Sequence, residues 1–317
     1  MSSNAKGAVL ALAAFAVFSS HDVIVKFLGA EYSPIQLVFF SVLFSFPLAT
    51  MFLLRDVTVD TLIPRHPYWM AARTVAAVAT GFSAFYAFSV LPMTQVYAII
   101  FASPLLITIL AIPVLGERVR FRRWLAVLIG LCGVLVVLRP TDADLELGHL
   151  FALVAAVCGA FASVVVRKIG REERTVVIML YPMMANFIVM AILLPTVYQP
   201  MPIEDLGLVG VMAVFAWMAG RFLIAAYNSG EAVVVAPMQY SQILWATAYG
   251  FLFFGEVPDQ ATILGSAIII SSGLYIVFRE SRSDASENTP VLRTRSRPET
   301  GTSPRVSVFV APFKRKR

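Results

Sequence analysis

The dominant constraint on this chain is a succession of ten unbroken apolar runs. They lie at 7–28, 34–54, 69–90, 94–115, 121–138, 148–168, 175–195, 206–228, 232–254 and 260–278. At 1.5 Å per residue, a helix of that length crosses the ~30 Å hydrocarbon layer of a bilayer. Inside that layer no water satisfies the backbone N–H and C=O groups, and a helix satisfies its own within one segment. A membrane β-barrel would alternate apolar and polar residues instead. The expected fold is therefore all-α and integral to the membrane, with ten transmembrane helices. Charged residues make up 14 % of the chain and hydrophobic ones 59 %, whereas a soluble domain carries about 25 % charged residues. Lys6, an apolar stretch and then the small residues Ser19 and Ser20 give the first run an outline shared with cleaved signal peptides. Nine further runs follow it rather than an exported soluble domain, so it reads as the first span.

The net charge of +6 sits at the end of the chain. Residues 1–278 hold 15 Lys and Arg against 15 Asp and Glu, and residues 279–317 hold 10 against 4. This excess does not point to nucleic acid. It describes a basic tail beside anionic membrane lipid. The tail, 281–317, is rich in Arg, Ser, Thr and Pro, cannot bury a core, and is expected to be disordered. Within the body the basic residues sort by side. With the N-terminus inside, the inner loops collect Arg55, Arg65, Arg118, Arg120, Arg122, Arg123, Arg167, Lys168, Arg171 and Arg174. The outer loops hold Arg139 and the acids Glu31, Asp142, Asp144, Glu146, Glu204, Asp205 and Asp259. Both termini are thus expected in the cytoplasm, and the chain in the cell inner (plasma) membrane. The two cysteines, Cys132 and Cys158, match neither a zinc spacing nor a redox CxxC pair.

The chain repeats itself. Gly116-Glu117 in "SPLLITILAIPVLGE" answers Gly255-Glu256 in "QYSQILWATAYGFLFFGE" at an offset of 139 residues. Ala87 answers Ala226 at the same offset, and Gly133 answers Gly273 with one residue of slip. Two units of five spans follow, 1–140 and 141–280. Because five is odd, the second unit enters from the opposite face, which makes an inverted repeat of the kind secondary transporters use.

The segment 103–117, with Pro104 thirteen residues ahead of Glu117, resembles the EamA domain of the drug/metabolite transporter superfamily. The second unit keeps Gly255-Glu256 but has Ile243 in place of the proline, and Phe18 stands where many members carry Trp. The resemblance covers about 1–280 and implies two EamA repeats around a central site, with the seventh helix peripheral. "SSHDVIVKFLG" together with "APMQYSQILWATAYGFLFFGE" looks most like the bacterial riboflavin transporters of that group. Amino-acid exporters and S-adenosylmethionine carriers are near neighbours.

Ionisable groups inside a span are costly and mark function. Asp22 and Lys26 stand one turn apart on one face of the first span; paired, they would be neutral, whereas either alone costs ~2.5–3.5 kcal/mol at a helix centre. His21 beside them is a candidate proton relay. Arg73 opens the third span as a topology anchor or gate, and Arg221 lies two turns inside the eighth, where a guanidinium must face protein or water. In the ninth span Gln239, Gln242, Trp245 and Tyr249 share neighbouring faces, and Tyr97, Phe101, Pro104 and Thr108 form a matching face on the fourth. Amides and aromatic walls suit a flat polar heterocycle. Pro104 also breaks the helical ladder and frees a carbonyl. Small residues on the third span (Ala72, Ala76, Thr80, Ala84) and the sixth (Ala155, Gly159, Ser163) read as packing stripes, as do Tyr181 and Asn186 in the seventh.

The expected function is a secondary transporter moving a small organic metabolite by alternating access, with riboflavin uptake the best single substrate. Amino-acid or S-adenosylmethionine transport is the alternative within the resemblance, and a non-transporting receptor or assembly subunit is the alternative outside it. An enzyme would need a nucleophile–base set or metal ligands. His21, His66 and His149 stand far apart, with no HExxH or GxSxG. No P-loop occurs either, which leaves no motif for direct ATP drive. No cofactor is expected.

Overall fold

A computed structural model of the chain describes residues 3–55, 62–116, 121–138, 146–170, 172–230 and 232–281. Glu117, the loop residues Arg118, Arg120, Arg139, Asp142, Asp144 and Arg171, and the expected tail past residue 281 lie outside the described residues. The described residues are almost entirely helical. In chain order the helices are α1 (Ser3–Gly29), α2 (Pro34–Arg55), α3 (Pro67–Val90), α4 (Met93–Ile100), α5 (Ser103–Leu115), α6 (Phe121–Leu138), α7 (Leu147–Ile169), α8 (Thr175–Leu193), α9 (Ile203–Ser229), α10 (Ala232–Val235), α11 (Ser241–Phe254) and α12 (Gln260–Ser281). A 3-10 turn, Ala236–Tyr240, joins α10 to α11. Helix occupies every apolar run read from the sequence. Among the described residues, five stretches are long and apolar enough to cross a membrane: Asn4–Gly29, Met93–Leu115, Leu147–Ile169, Val176–Thr196 and Ile203–Ser229. Pro34–Thr50, Trp124–Leu138 and Gln260–Ile276 are shorter apolar helices.

Two corners are built alike. α5 and α11 each end on a glycine in the left-handed region, Gly116 at φ 70° and Gly255 at φ 65°. A side chain there would strain the backbone, which is why glycine caps both helices. Each of these units is also broken near its start. Pro104 has no N–H to give the Ile100 carbonyl, and the Ser103 hydroxyl donates to that carbonyl instead, at 2.6 Å. The helix accordingly stops at Ile100 and restarts at Ser103. The second break needs no proline at Ile243. Pro237 starts the 3-10 turn earlier, and the turn ends at Tyr240. Tyr240 corresponds to Phe101 at the 139-residue offset, and the two rings meet edge to face, 5.2 Å apart at 80°.

The most extensive packing joins α1 to α9, α3 to α7, and α6 to α12. α1 and α9 run in opposite directions: Gly7 lies against Gly230 at one end, and beyond the other the Tyr32 hydroxyl donates to Asp205. That bond pushes the Tyr32 phenol up to about 12, so the tie keeps its proton at physiological pH. α3 and α7 are also antiparallel, with Lys168 over the Trp69 ring at one end and Gly148 against Leu91 at the other. α6 and α12 cross at Gly133 and Gly265, where a Cβ on either would come within 3.0 Å of the other's carbonyl oxygen. Lipid is as apolar as leucine, so close backbone approach and dispersion hold such pairs together. Ala76, Thr80 and Ala84 on α3 and Ala155, Gly159 and Ser163 on α7 are buried, whereas Ala72, the first of the α3 stripe, is half-buried. Asn186 is buried and bonds the Pro182 carbonyl at 3.1 Å, but Tyr181 is largely on the surface.

Candidate functional site

α1 carries its polar residues into the middle of the bundle. Ser19, His21 and Asp22 expose 0 %, 1 % and 0 % of their surface. The Asp22 carboxylate is held from two sides: His21 Nδ1 lies 2.8 Å from Oδ1, and the Tyr97 hydroxyl of α4 donates to Oδ2. Tyr97 Oη also lies 3.3 Å from Ser19 Oγ and receives the Gln242 amide of α11 at 3.4 Å. The His21 ring stands edge-on to Phe85 of α3, 6.1 Å away. Four helices therefore meet around this network, which brings Asp22, Tyr97 and Gln242 together.

Lys26 does something other than neutralise Asp22. Its ammonium pairs with Glu256 at 2.7 Å, donates to the Leu91 carbonyl at 2.6 Å, and lies 5.3 Å from the Phe254 ring centroid. Glu256 in turn accepts the Met93 N–H at 3.0 Å. This clasp ties the end of α1 to the turns that start α4 and end α11. The spacing of four between Asp22 and Lys26 places them on one face, but each finds a better partner across the bundle. The Gly255-Glu256 signal in the sequence marked the helix end without revealing its partner.

α11 adds a second feature. Ser20 links to the Tyr249 hydroxyl at 3.3 Å, and the Trp245 and Tyr249 rings lie 6.0 Å apart. The Trp245 indole N–H, Gln242 Oε1 and Ser241 Oγ of α11 are buried without a hydrogen-bond partner among the described residues, as is the Trp217 indole N–H of α9. Buried polar groups are normally paired, and each unpaired one costs ~1–3 kcal/mol. A ligand that presents donors and acceptors to them removes that cost. Trp217 and Ser241 lacked any spacing that would have marked them.

The remaining candidates lie apart. Pro104 sits seven residues beyond Tyr97, just after the α4–α5 break, and Gln239 is half-buried in the 3-10 turn. Arg73 is buried at the start of α3 and donates to the Ile178 carbonyl of α8 at 2.6 Å, away from the Asp22 cluster. Arg221 is exposed on α9, with its guanidinium 5.6 Å from the Trp217 ring. Among the described residues no group of three or more His, Cys, Asp or Glu is placed to hold a metal ion.

A polar cluster enclosed by long apolar helices, with α5 and α11 each capped by a left-handed glycine, is matched by a known family model. The model described as the EamA-like transporter family matches residues 5–139 and again 146–279. The chain belongs to the EamA-like transporter family. EamA transporters are multi-pass membrane proteins of the drug/metabolite transporter superfamily. The S-adenosylmethionine uptake transporter of Rickettsia bellii is 26 % identical over 277 residues, covering 83 % of this chain and 90 % of that protein. The pseudopaline exporter of Pseudomonas aeruginosa is 26 % identical over 266 residues, covering 83 % and 93 %. The riboflavin transporter of Vibrio cholerae is 30 % identical over 202 residues, covering 62 % and 66 %. A solved structure that covers 88 % of this chain and 99 % of its own shares the fold, with a TM-score of 0.58 at 20 % identity.

Proposed function

We propose that this EamA protein is a secondary carrier that takes up a small organic metabolite across the cell inner membrane by alternating access, with riboflavin the best single substrate. The observation that carries the substrate class is the set of unpaired polar atoms on Ser241, Gln242 and Trp245 beside the Trp245 and Tyr249 rings. A flat heteroaromatic solute bearing several donors and acceptors meets both needs, stacking on the rings while pairing with the indole and amide groups. Asp22, Lys26, Arg73, Tyr97, Pro104, Arg221, Gln239, Gln242, Trp245 and Tyr249 are the residues proposed to bind or gate.

The carrier is read as ten spans in two EamA repeats, 1–140 and 141–280, inserted in opposite senses, with both termini and the tail 281–317 in the cytoplasm. What supports inversion is that α6 and α12, which hold corresponding places, cross in opposite directions, and that α1 against α9 is answered by α7 against α3. Two copies so related give inward- and outward-open forms of similar energy, which a scaffold or receptor does not need.

A second reading has its own support. A buried carboxylate among aromatic rings favours a cationic solute, and the S-adenosylmethionine uptake transporters match more of this chain than the riboflavin transporters do. Proteoliposomes separate the readings. Exchange of labelled riboflavin against internal riboflavin, unaffected by excess S-adenosylmethionine, supports the first. Exchange of S-adenosylmethionine alone supports the second. Exchange of neither, by correctly inserted protein, removes both.

A further inference from the structure

Bonds between the two EamA repeats gather at three levels of the molecule. In the middle Tyr97 meets Gln242, and Ser20 meets Tyr249. Where α1 ends, the Tyr32 hydroxyl donates to Asp205 at 2.5 Å, and Lys26 pairs with Glu256 at 2.7 Å. Where α7 ends, His66 Nε2 lies 2.6 Å from Glu172 Oε2, Glu173 accepts the His66 N–H at 2.6 Å, and Lys168 donates to the Val114 carbonyl at 2.6 Å. Each of these contacts joins a residue before 140 to one after it. The two outer groups lie at opposite ends of one helix. Lys26 also bonds Leu91, which caps the end of α3, whereas Lys168 lies over Trp69 in its first turn. A helix of 24 residues is ~36 Å long.

The two outer groups are built at equivalent places in the two repeats. Asp205 is His66 displaced by 139 residues, the offset that relates Gly116 to Gly255. Tyr32 and Glu172 each stand three residues past the helix they follow, α1 ending at Gly29 and α7 at Ile169. Lys26 and Lys168 each occupy the last turn of that helix. Both donate to a carbonyl near the end of another helix, Leu91 or Val114, and both lie over a ring, Phe254 or Trp69. We infer that Tyr32–Asp205 with Lys26, and His66–Glu172 with Lys168, are the two gates of this carrier, broken alternately and never together. The inference rests on the carrier reading above.

The contacts suit that task. A solute held beside Gln242 and Trp245 leaves by neither face while both groups are made. Breaking one group costs little, because its members sit at a mouth of the bundle where water replaces the lost partner. His66 and Glu172 expose 37 % and 63 % of their side chains, and Asp205 is half-buried rather than sealed. The Asp22 network in the middle is closed off from water and has no such replacement. The central bonds therefore mark the place of the solute, and the bonds at the two ends mark the parts that part.

The first test needs no solute. In the full chain carrying Cys132→Ala and Cys158→Ala, a single Ser241→Cys beside the proposed solute face reports which face is open. A membrane-impermeant maleimide is applied to right-side-out and to inside-out vesicles. Tyr32→Phe removes one hydrogen bond at the α1 end and is expected to shift the balance of labelling toward that face by about fivefold. His66→Phe is expected to shift it toward the opposite face. Shifts in the same direction, or no shift in either variant, overturn the proposal. Should Ser241→Cys fail to insert, Ser20→Cys takes its place as reporter. Transport then checks that both gates must open. Tyr32→Cys with Asp205→Cys, and separately His66→Cys with Glu172→Cys, are bridged by a cross-linker that reductant cleaves. Either bridge is expected to stop exchange of labelled riboflavin in proteoliposomes, and reductant to restore it. Exchange that continues through a formed bridge at either end overturns the proposal. If the unbridged protein exchanges no riboflavin, the substrate reading falls, and the labelling shifts alone decide the gates.

Discussion

Asp22 and Lys26 stand one turn apart on α1, carry opposite charges, and live in different parts of the molecule. Asp22 is sealed in the centre, held by uncharged tyrosine and by histidine. Lys26 lies near the helix end, where it meets a full carboxylate, a carbonyl and a ring. The difference is one of reach and depth. A lysine has a long stem and swings its ammonium to the Gly255-Glu256 corner, whereas aspartate is short and takes what the adjacent helices present. The lysine clasp holds three elements together, and the aspartate network joins α1 to α4 and, through Tyr97, to α11.

The sharpest way to break that contrast is at the clasp. Lys26 and Glu256 expose only 12 % and 16 % of their side chains. Removing one partner strands the other's charge, which in buried pairs costs 3–5 kcal/mol. With this residual exposure Lys26→Met is expected to cost roughly 2–4 kcal/mol. Thermal unfolding in detergent should register it as a large fall in Tm, and Lys26→Met with Glu256→Gln should recover most of it. A double variant as unstable as the sum of its singles would show that the two charges do not depend on each other.

The second test addresses the amide-and-ring face of α11. Gln242→Leu removes the donor to Tyr97 and an unpaired acceptor in one step. A hydrogen bond lost to a bound solute is worth ~1–2 kcal/mol, so KM for the transported solute is expected to rise about tenfold. Tm should stay near that of wild type. A lower Tm with unchanged KM would make Gln242 part of the packing.

How much of this was legible beforehand depends on the distance between partners in the chain. Hydrophobic run length located every helical stretch, because length and apolarity answer directly to the bilayer. The Gly116 and Gly255 corners were visible because a left-handed cap demands one residue type. Partners 65 to 230 residues apart were not: nothing local says that Lys26 meets Leu91 and Glu256, or that Arg73 meets Ile178. The α4 break followed from Pro104, but its counterpart was sought at Ile243 while Pro237 supplied it. Unpaired groups such as the Trp217 indole emerge only once burial is known.

Away from the Asp22 network the central crossing should respond through stability alone. Gly133→Val would push a side chain into the Gly265 carbonyl, 2.9 Å from the added Cβ, and into Ile268 and Ile269. Overpacking of this kind costs ~1–3 kcal/mol. A lower Tm with unaltered KM is the expected outcome. A raised KM would connect the α6–α12 crossing to the solute site and blur the division between holding and moving parts.

Arg221 offers the smallest stability effect and the finest discrimination. Its guanidinium is exposed and lies over Trp217, an interaction worth ~0.5–1 kcal/mol at exposed sites. Arg221→Ala should therefore barely move Tm. Yet an arginine on an apolar helix does not face hydrocarbon cheaply, which is why Arg221 is among the residues proposed to line the solute's route. Uptake by Arg221→Ala is expected to fall several-fold, with Arg221→Lys intermediate because it keeps the charge but not the planar stacking. Wild-type uptake in both would place Arg221 outside the route and leave Trp217 without a ligand-facing neighbour on α9. The solute site would then be confined to α1, α4 and α11.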